Sequence, residues 1–112
     1  MTVHDNKDHN VPASCYGEDV EAVLISEEQL AARIRELADK VSETYRDADD
    51  ELILVCVLKG AVFFLTDFTR ALSIPSQMEF MAVSSYGNST TSSGVVRILK
   101  DLDREIEGRD VL

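Results

Sequence analysis

The spacing of hydrophobic residues changes several times along this chain, and each spacing predicts a different element. After Ser26, apolar side chains recur every three or four positions, at Leu30, Ile34, Leu37, Ala38, Val41 and Tyr45. This spacing predicts an amphipathic helix. Ser26 and Gln29 form a capping-box pattern at its start, and the polar stretch 46–51 follows its last apolar position. A helix that begins at Ser26 and ends before residue 51 is therefore expected.

The next segment, Leu52 to Leu58, is a continuous apolar run and predicts a strand that is covered on both faces. Helical spacing then returns and predicts a second helix that ends before Pro75. The apolar positions of this second helix are Ala61, Phe64, Leu65, Phe68 and Leu72. A helix therefore follows this strand almost at once, after only a short connection.

Shorter apolar segments predict the remaining strands, at residues 20–26, 77–83 and 95–102. Val111 and Leu112 predict the opening of one further strand. Strands that alternate with helices in this order predict an α/β fold, with a mostly parallel sheet flanked by helices. The sequence therefore predicts one domain over residues 21–112.

Two stretches show no regular spacing. Residues 1–20 are polar and predict a disordered N-terminal segment. They contain His4 and His9, but a flexible stretch without a regular face or cysteine partners is a poor metal site. Residues 84–94, rich in serine, threonine and glycine, predict a loop.

Composition excludes several classes of function. The chain has 21 acidic and 11 basic residues and a net charge of −10, which argues against binding to nucleic acid or to anionic membranes. No apolar run approaches the roughly 20 residues of a membrane span, and no signal peptide is recognisable. Cys15 and Cys56 form no paired motif and are expected to be reduced thiols. We therefore predict a cytoplasmic protein.

The strongest chemical signal is the pair Lys59 and Gly60, between the apolar strand and the second helix. In open α/β sheets anions bind where a strand leads into a helix N-terminus. The pair therefore indicates a phosphate or pyrophosphate site. An ordinary turn with an exposed lysine explains it equally well. The loop 84–94 also has two interpretations, a lid that closes over a ligand or a solvated hairpin tip. The sequence shows no candidate nucleophile with an adjacent base.

Three motifs together resemble a known family. "VLKGAVFFLTDFTRAL", "SSYGNSTTSSGVVRILKDLD" and "EGRDVL" are similar, in order and spacing, to bacterial hypoxanthine-guanine phosphoribosyltransferases, and the resemblance covers residues 20–112. It implies a type I phosphoribosyltransferase fold and purine salvage. In that reaction the phosphoribosyl group of phosphoribosyl pyrophosphate is transferred to hypoxanthine or guanine, giving IMP or GMP and pyrophosphate. It also implies Mg²⁺ as cofactor and a dimer or tetramer of identical subunits.

The resemblance also assigns roles to individual residues. Leu58, Lys59 and Gly60 match the pyrophosphate loop, with a non-proline cis peptide between the first two. Ser85 and Tyr86 match the start of the flexible lid. The catalytic aspartate and an acidic pair of the family would lie beyond Leu112, so the chain is expected to stop before its later strands and to be inactive alone. The alternative is a non-catalytic pyrophosphate-binding module with a regulatory or assembly role.

Overall fold

The computed structural model describes residues 19–85 and 96–112. Two helices and three strands follow one another along this part of the chain. They are α1 (Glu27–Tyr45), β1 (Leu52–Leu58), α2 (Val62–Ala71), β2 (Ser76–Ser85) and β3 (Val96–Lys100). Both predicted helices and three of the predicted strands are confirmed, and β2 is longer than predicted at both ends.

The capping box predicted at the start of α1 is present. The Gln29 amide donates to Ser26 Oγ at 3.1 Å, and the Ser26 amide donates to Gln29 Oε1 at 2.8 Å. These reciprocal bonds satisfy two amides near the helix start, which a helix leaves without intrahelical partners. The local sequence therefore determines where α1 begins.

The strand predicted over residues 20–26 is wrong. The chain bends at Leu24 and Ile25, and both side chains are more than half exposed. A strand needs a neighbouring strand for its backbone hydrogen bonds. In the described residues the sheet order is β1-β2-β3, and residues 20–26 contribute only a single β-bridge at Val23, not a strand. This segment instead leads the chain into the cap at Ser26.

The sheet is mixed, within the predicted α/β class. β1 and β2 are parallel, with Leu58 opposite Ala82, whereas β2 and β3 are antiparallel. Val111 forms a parallel bridge with Ile53 on the other edge of β1, and Leu112 accepts a hydrogen bond from the Val55 amide at 2.9 Å. The predicted opening of a strand at Val111 and Leu112 is therefore confirmed.

The main core lies between β1 and the two helices. Side chains alternate between the faces of a strand, so Leu52, Leu54 and Cys56 point to the same face. They form a buried cluster with residues of both helices, namely Ala38, Leu65 and Phe68. Cys56 is only 2% exposed, as expected for a cysteine that packs as a small hydrophobic residue.

The opposite face of the sheet is covered only in part. Ile53 is fully buried there, but Val57, toward the carboxyl end of β1, is 44% exposed. The prediction that both faces of β1 are covered is therefore correct only for its first half. On this face Arg104 pairs with Glu79 of β2 at 3.4 Å and also hydrogen-bonds Gln77, so the segment after β3 is tied to the sheet.

Ser42 connects α1 to the chain between α2 and β2. Its side chain is buried, and Oγ accepts a hydrogen bond from the Ser73 amide at 3.0 Å. We expect Ser42→Ala to lower the free energy of unfolding by about 1–3 kcal/mol, because the Ser73 amide loses its acceptor. Urea unfolding measures this loss.

Thr44→Ala is the matched control for this prediction. The Thr44 hydroxyl donates to the Lys40 carbonyl within the same helix and is exposed to solvent. Its removal should change the free energy of unfolding by no more than about 0.5 kcal/mol. Equal losses in the two variants would contradict a structural role for the Ser42–Ser73 bond.

Candidate functional site

The candidate site is the turn between β1 and α2. Leu58 ends β1, Lys59 to Ala61 form the turn, and α2 begins at Val62. The Val62 amide donates to the Lys59 carbonyl at 3.1 Å and closes the turn. The peptide bond between Leu58 and Lys59 is cis, as the family resemblance implied. The strand therefore passes into the helix within three residues.

The amino end of α2 has no side-chain cap. Ala61 occupies the N-cap position and makes no side-chain hydrogen bond to the first turn. The amides of a first helical turn carry partial positive charge and attract anions when no side chain satisfies them. The sequence pattern placed Ala61 on the apolar face of the helix, and its position at the helix cap was missed. The signal was available, because serine, threonine, aspartate and asparagine are the usual residues at this position.

Lys59 adds a full positive charge beside this helix end. The residue is exposed, and among the described residues its ammonium has no acidic partner. A lysine that is not neutralised by the protein can pair with a bound anion. The turn thus combines one free ammonium with uncapped helix amides, which suits a phosphate group.

Gly60 leaves space for a ligand beside its backbone, but its conformation is one that other residues can also adopt. A Cβ atom built at this position meets no other atom within 4 Å, so the backbone is open to a close ligand. Among the described residues only Gly108 has a positive φ, at 73°. Gly60 therefore does not need the conformational freedom of glycine here. A glycine at position 60 is therefore best explained by a ligand that approaches the backbone closely.

Ser85 lies at the same edge of the sheet as this turn. β1 and β2 are parallel, so their carboxyl ends point the same way, and β2 continues three residues past Ala82, the partner of Leu58. Ser85 pairs with Val96 at the start of β3. The structure therefore places Leu58, Lys59, Gly60 and Ser85 at one edge, whereas Tyr86 lies outside the described residues.

A cavity of about 360 Å³ lies next to this turn, between β1 and the helices, and Ala61 contributes to its lining. Its lining includes Leu37, Val41, Phe68 and Leu112 and is almost wholly apolar. Burying a phosphate among apolar groups without partners is very costly, so this cavity is not the anion site.

Residues 19–85 and 96–112 contain neither a candidate metal centre nor a candidate membrane span. No group of three histidine, cysteine, aspartate or glutamate side chains in this part of the chain could hold a metal ion. No helix there is both long enough and apolar enough to cross a membrane. The turn at Lys59 is thus the feature of the described residues with the clearest ligand chemistry.

β1, α2 and β2 form a parallel strand–helix–strand unit, with the lysine-bearing turn and the helix end without a side-chain cap at its carboxyl edge. In α/β domains this edge is the usual place for a ligand. Residues 24–112 match the model of the phosphoribosyl transferase domain. The chain belongs to this family.

The curated relatives include two bacterial enzymes. The chain is 60% identical over 105 residues to the hypoxanthine-guanine phosphoribosyltransferase of Mycobacterium avium, an alignment that covers 90% of this chain and 52% of the relative. It is 47% identical over 94 residues to the enzyme of the same name from Bacillus subtilis, covering 84% of this chain and 51% of the relative. The chain thus spans about half the length of the curated relatives it matches.

Solved structures agree with this assignment. A hypoxanthine phosphoribosyltransferase from Staphylococcus aureus superposes with a TM-score of 0.76 at 35% identity, covering 84% of this chain and 50% of that one. The Trypanosoma cruzi enzyme in complex with the product IMP gives a TM-score of 0.72 at 41% identity, covering 81% of this chain and 52% of that one. The type I phosphoribosyltransferase fold, of which this chain covers about half, is therefore confirmed.

Proposed function

We propose that this chain is the pyrophosphate-binding part of a hypoxanthine-guanine phosphoribosyltransferase. The complete enzyme would transfer the phosphoribosyl group of phosphoribosyl pyrophosphate to hypoxanthine or guanine, giving IMP or GMP and pyrophosphate. The observation that carries the proposal is the exposed Lys59–Gly60 turn before an uncapped helix, in a chain 60% identical to such an enzyme.

In this proposal the residues of the turn bind the leaving group. When the bond between the ribose and pyrophosphate breaks, negative charge builds on the pyrophosphate. The Lys59 ammonium can stabilise that charge, together with the amides of Phe63 and Phe64, which follow the bonded Val62 amide. Gly60 lets the pyrophosphate approach the backbone. Leu58 positions the turn by ending β1 beside Ala82.

Ser85 and Tyr86 are proposed to begin a lid over the site. The transferred ribosyl group develops positive charge in the transition state, and water would intercept it. A closed segment excludes that water. The support for this role is the position of Ser85 at the sheet edge of the Lys59 turn.

We propose Mg²⁺ as the metal ion that accompanies phosphoribosyl pyrophosphate. The described residues do not by themselves fit a protein-built magnesium site, because they contain no group of three metal-binding side chains. Substrate phosphate oxygens are common magnesium ligands. We assign no step of the reaction to a metal ligand on this chain.

The proposed setting is the cytoplasm, where purine salvage would supply nucleotides. The small molecules that this chain meets there would be phosphoribosyl pyrophosphate, the purine base and pyrophosphate. A dimer or tetramer of identical subunits is proposed for the complete enzyme. These assignments rest on the family membership and on the relatives' names.

A second candidate is a non-catalytic module that binds pyrophosphate and regulates or assembles with another protein. The observation in its favour is that the chain spans only about half the length of its curated relatives. The mass of the native protein, isolated with an antibody against residues 52–72, separates the two candidates. A mass well above 12.4 kDa supports the enzyme, whereas a mass near 12.4 kDa supports the module.

The proposed site predicts that pyrophosphate stabilises the purified chain. At a pyrophosphate concentration 100 times the Kd, binding adds about 2.7 kcal/mol and should raise the Tm by roughly 10 °C. Sulfate at equal ionic strength is the control ligand and should have a much smaller effect. An unchanged Tm with pyrophosphate would contradict the anion site at Lys59.

The same sample, given hypoxanthine and phosphoribosyl pyrophosphate, should form no IMP. No general base is identified among the described residues, and a purine proton must be removed during the transfer. Chromatography of the products measures this directly. Formation of IMP by the 112-residue chain would contradict our expectation that it is inactive alone.

A further inference from the structure

The sheet edge at the Lys59 turn is positively charged, although the chain as a whole has a net charge of −10. The turn after β1, the end of β2 and the start of β3 meet at this edge, because β3 runs antiparallel to β2. Residues 58–62, 82–85 and 96–99 contain two cationic side chains, Lys59 and Arg97, and no acidic one. A local excess of positive charge of this kind favours an anionic ligand.

Arg97 has no role in the proposed function. It is exposed, and among the described residues it forms no ion pair. The chain has 21 acidic residues, so carboxylates are plentiful, and most of its arginines pair with one. The arginines with a carboxylate partner are Arg33, Arg46, Arg70, Arg104 and Arg109. The guanidinium of Arg97 is therefore available to a ligand.

The pairing between β2 and β3 changes register close to this arginine. Ala82 pairs with Lys100, whereas Val83 pairs with Ile98, so Leu99 is an extra residue in β3. An extra residue of this kind is a β-bulge, and it reverses the face on which the neighbouring side chains of its strand lie. Bulges are frequent next to functional sites, where they change the direction of a side chain.

The bulge places Arg97 on the side of the sheet that carries α2. Arg97 lies opposite Ser84, whereas without the extra residue it would lie opposite Ser85. Side chains alternate along β2, so Ser84 is on the same face as Phe80, which packs against the core between β1 and the helices. Arg97 is thus on the same side as the amino end of α2, two strands from Lys59, or about 10 Å across the sheet.

We infer that Arg97 is a second cationic residue of the pyrophosphate site, and that the two cations together favour a diphosphate over a single phosphate. A single phosphate at the turn is bound by Lys59 and the amides of α2. The other phosphate group of a diphosphate extends beyond the turn, where the planar Arg97 guanidinium can bind two of its oxygens at once. This inference rests on the proposed function, because it adds a residue to the same site.

Isothermal titration calorimetry of the 112-residue chain carrying Arg97→Ala tests this role. Pyrophosphate affinity should fall about tenfold, the effect of one exposed charge-assisted contact. Inorganic phosphate, titrated into the same samples, should not distinguish the variant from the wild-type chain, because a single phosphate stays at the Lys59 turn. The Tm of the unliganded variant should lie within about 2 °C of wild type, since an exposed arginine contributes little to folding.

Arg35→Ala is the matched control. Arg35 is exposed on α1 and, like Arg97, forms no ion pair among the described residues. Its loss should leave pyrophosphate affinity within about twofold of wild type, because an exposed charge away from the turn is screened by salt. Equal effects of the two substitutions on pyrophosphate would overturn the inference. An equal loss of phosphate and pyrophosphate affinity in Arg97→Ala would also overturn it.

The same titrations separate this inference from the proposed function. If the wild-type chain binds pyrophosphate and Lys59→Ala weakens that binding, but Arg97→Ala does not, the proposed site is retained and the role of Arg97 is wrong. If the wild-type chain does not bind pyrophosphate, both are wrong. Selective loss of pyrophosphate affinity in Arg97→Ala supports both.

Discussion

Lys59→Ala should weaken pyrophosphate binding by about 10–150-fold, the equivalent of one charge-assisted contact of about 1.5–3 kcal/mol. The physical reason is the position of the ammonium, exposed beside the uncapped amino end of α2 and without an acidic partner among the described residues. Isothermal titration calorimetry of the 112-residue chain with pyrophosphate measures this change. The Tm of the unliganded chain should stay within about 2 °C of wild type, since an exposed lysine contributes little to folding.

Lys40→Ala controls for the loss of one positive charge. Lys40 is exposed on α1, and the substitution changes the net charge by the same amount. Its effect on pyrophosphate affinity should be less than about twofold, because Lys40 lies outside the turn and the charge of an exposed lysine is screened by salt. If both substitutions weakened binding equally, the effect would be one of overall charge, and the assignment of Lys59 to the site would be wrong.

Phe68→Ala should lower the free energy of unfolding by about 3–5 kcal/mol. Phe68 is 4% exposed and belongs to the cluster between β1 and the helices, and its ring stacks on Phe64 with centroids 5.6 Å apart. Truncation removes most of this contact and leaves a cavity that the surrounding side chains fill only in part. Urea unfolding followed by circular dichroism gives the value.

Phe63→Ala is the matched control on the same helix. It removes the same side chain from a position that is 83% exposed, so the monomer should lose no more than about 0.5 kcal/mol. Similar losses in the two variants would show that α2 does not pack on β1 through Phe68.

Much of the fold could be predicted because its signals are local. The capping box at Ser26 and the three-to-four spacing that follows determine α1, and the continuous apolar run determines β1. The segment 20–26 shows the limit of this reasoning. Its composition favours a strand, but only Val23 forms a β-bridge, because a strand needs a neighbour that supplies hydrogen bonds along its length.

The candidate site was predictable in part. Lys59 and Gly60 were identified because a lysine and a glycine interrupt apolar stretches at a strand–helix junction. The sequence alone left a phosphate site and an ordinary turn equally open. The missing cap at Ala61 and the free ammonium of Lys59 support the phosphate site, because both depend on how the helix end is surrounded.

Spacing and short motifs were enough to predict the start of α1, the apolar run of β1 and the family that the chain resembles. The antiparallel direction of β3, the pairing of Val111 with Ile53 and the exposure of Val57 are seen only in three dimensions. They could not be predicted from local patterns because strand direction and surface exposure depend on contacts between residues far apart in the chain. Periodicity shows which face is apolar, whereas packing determines what covers it.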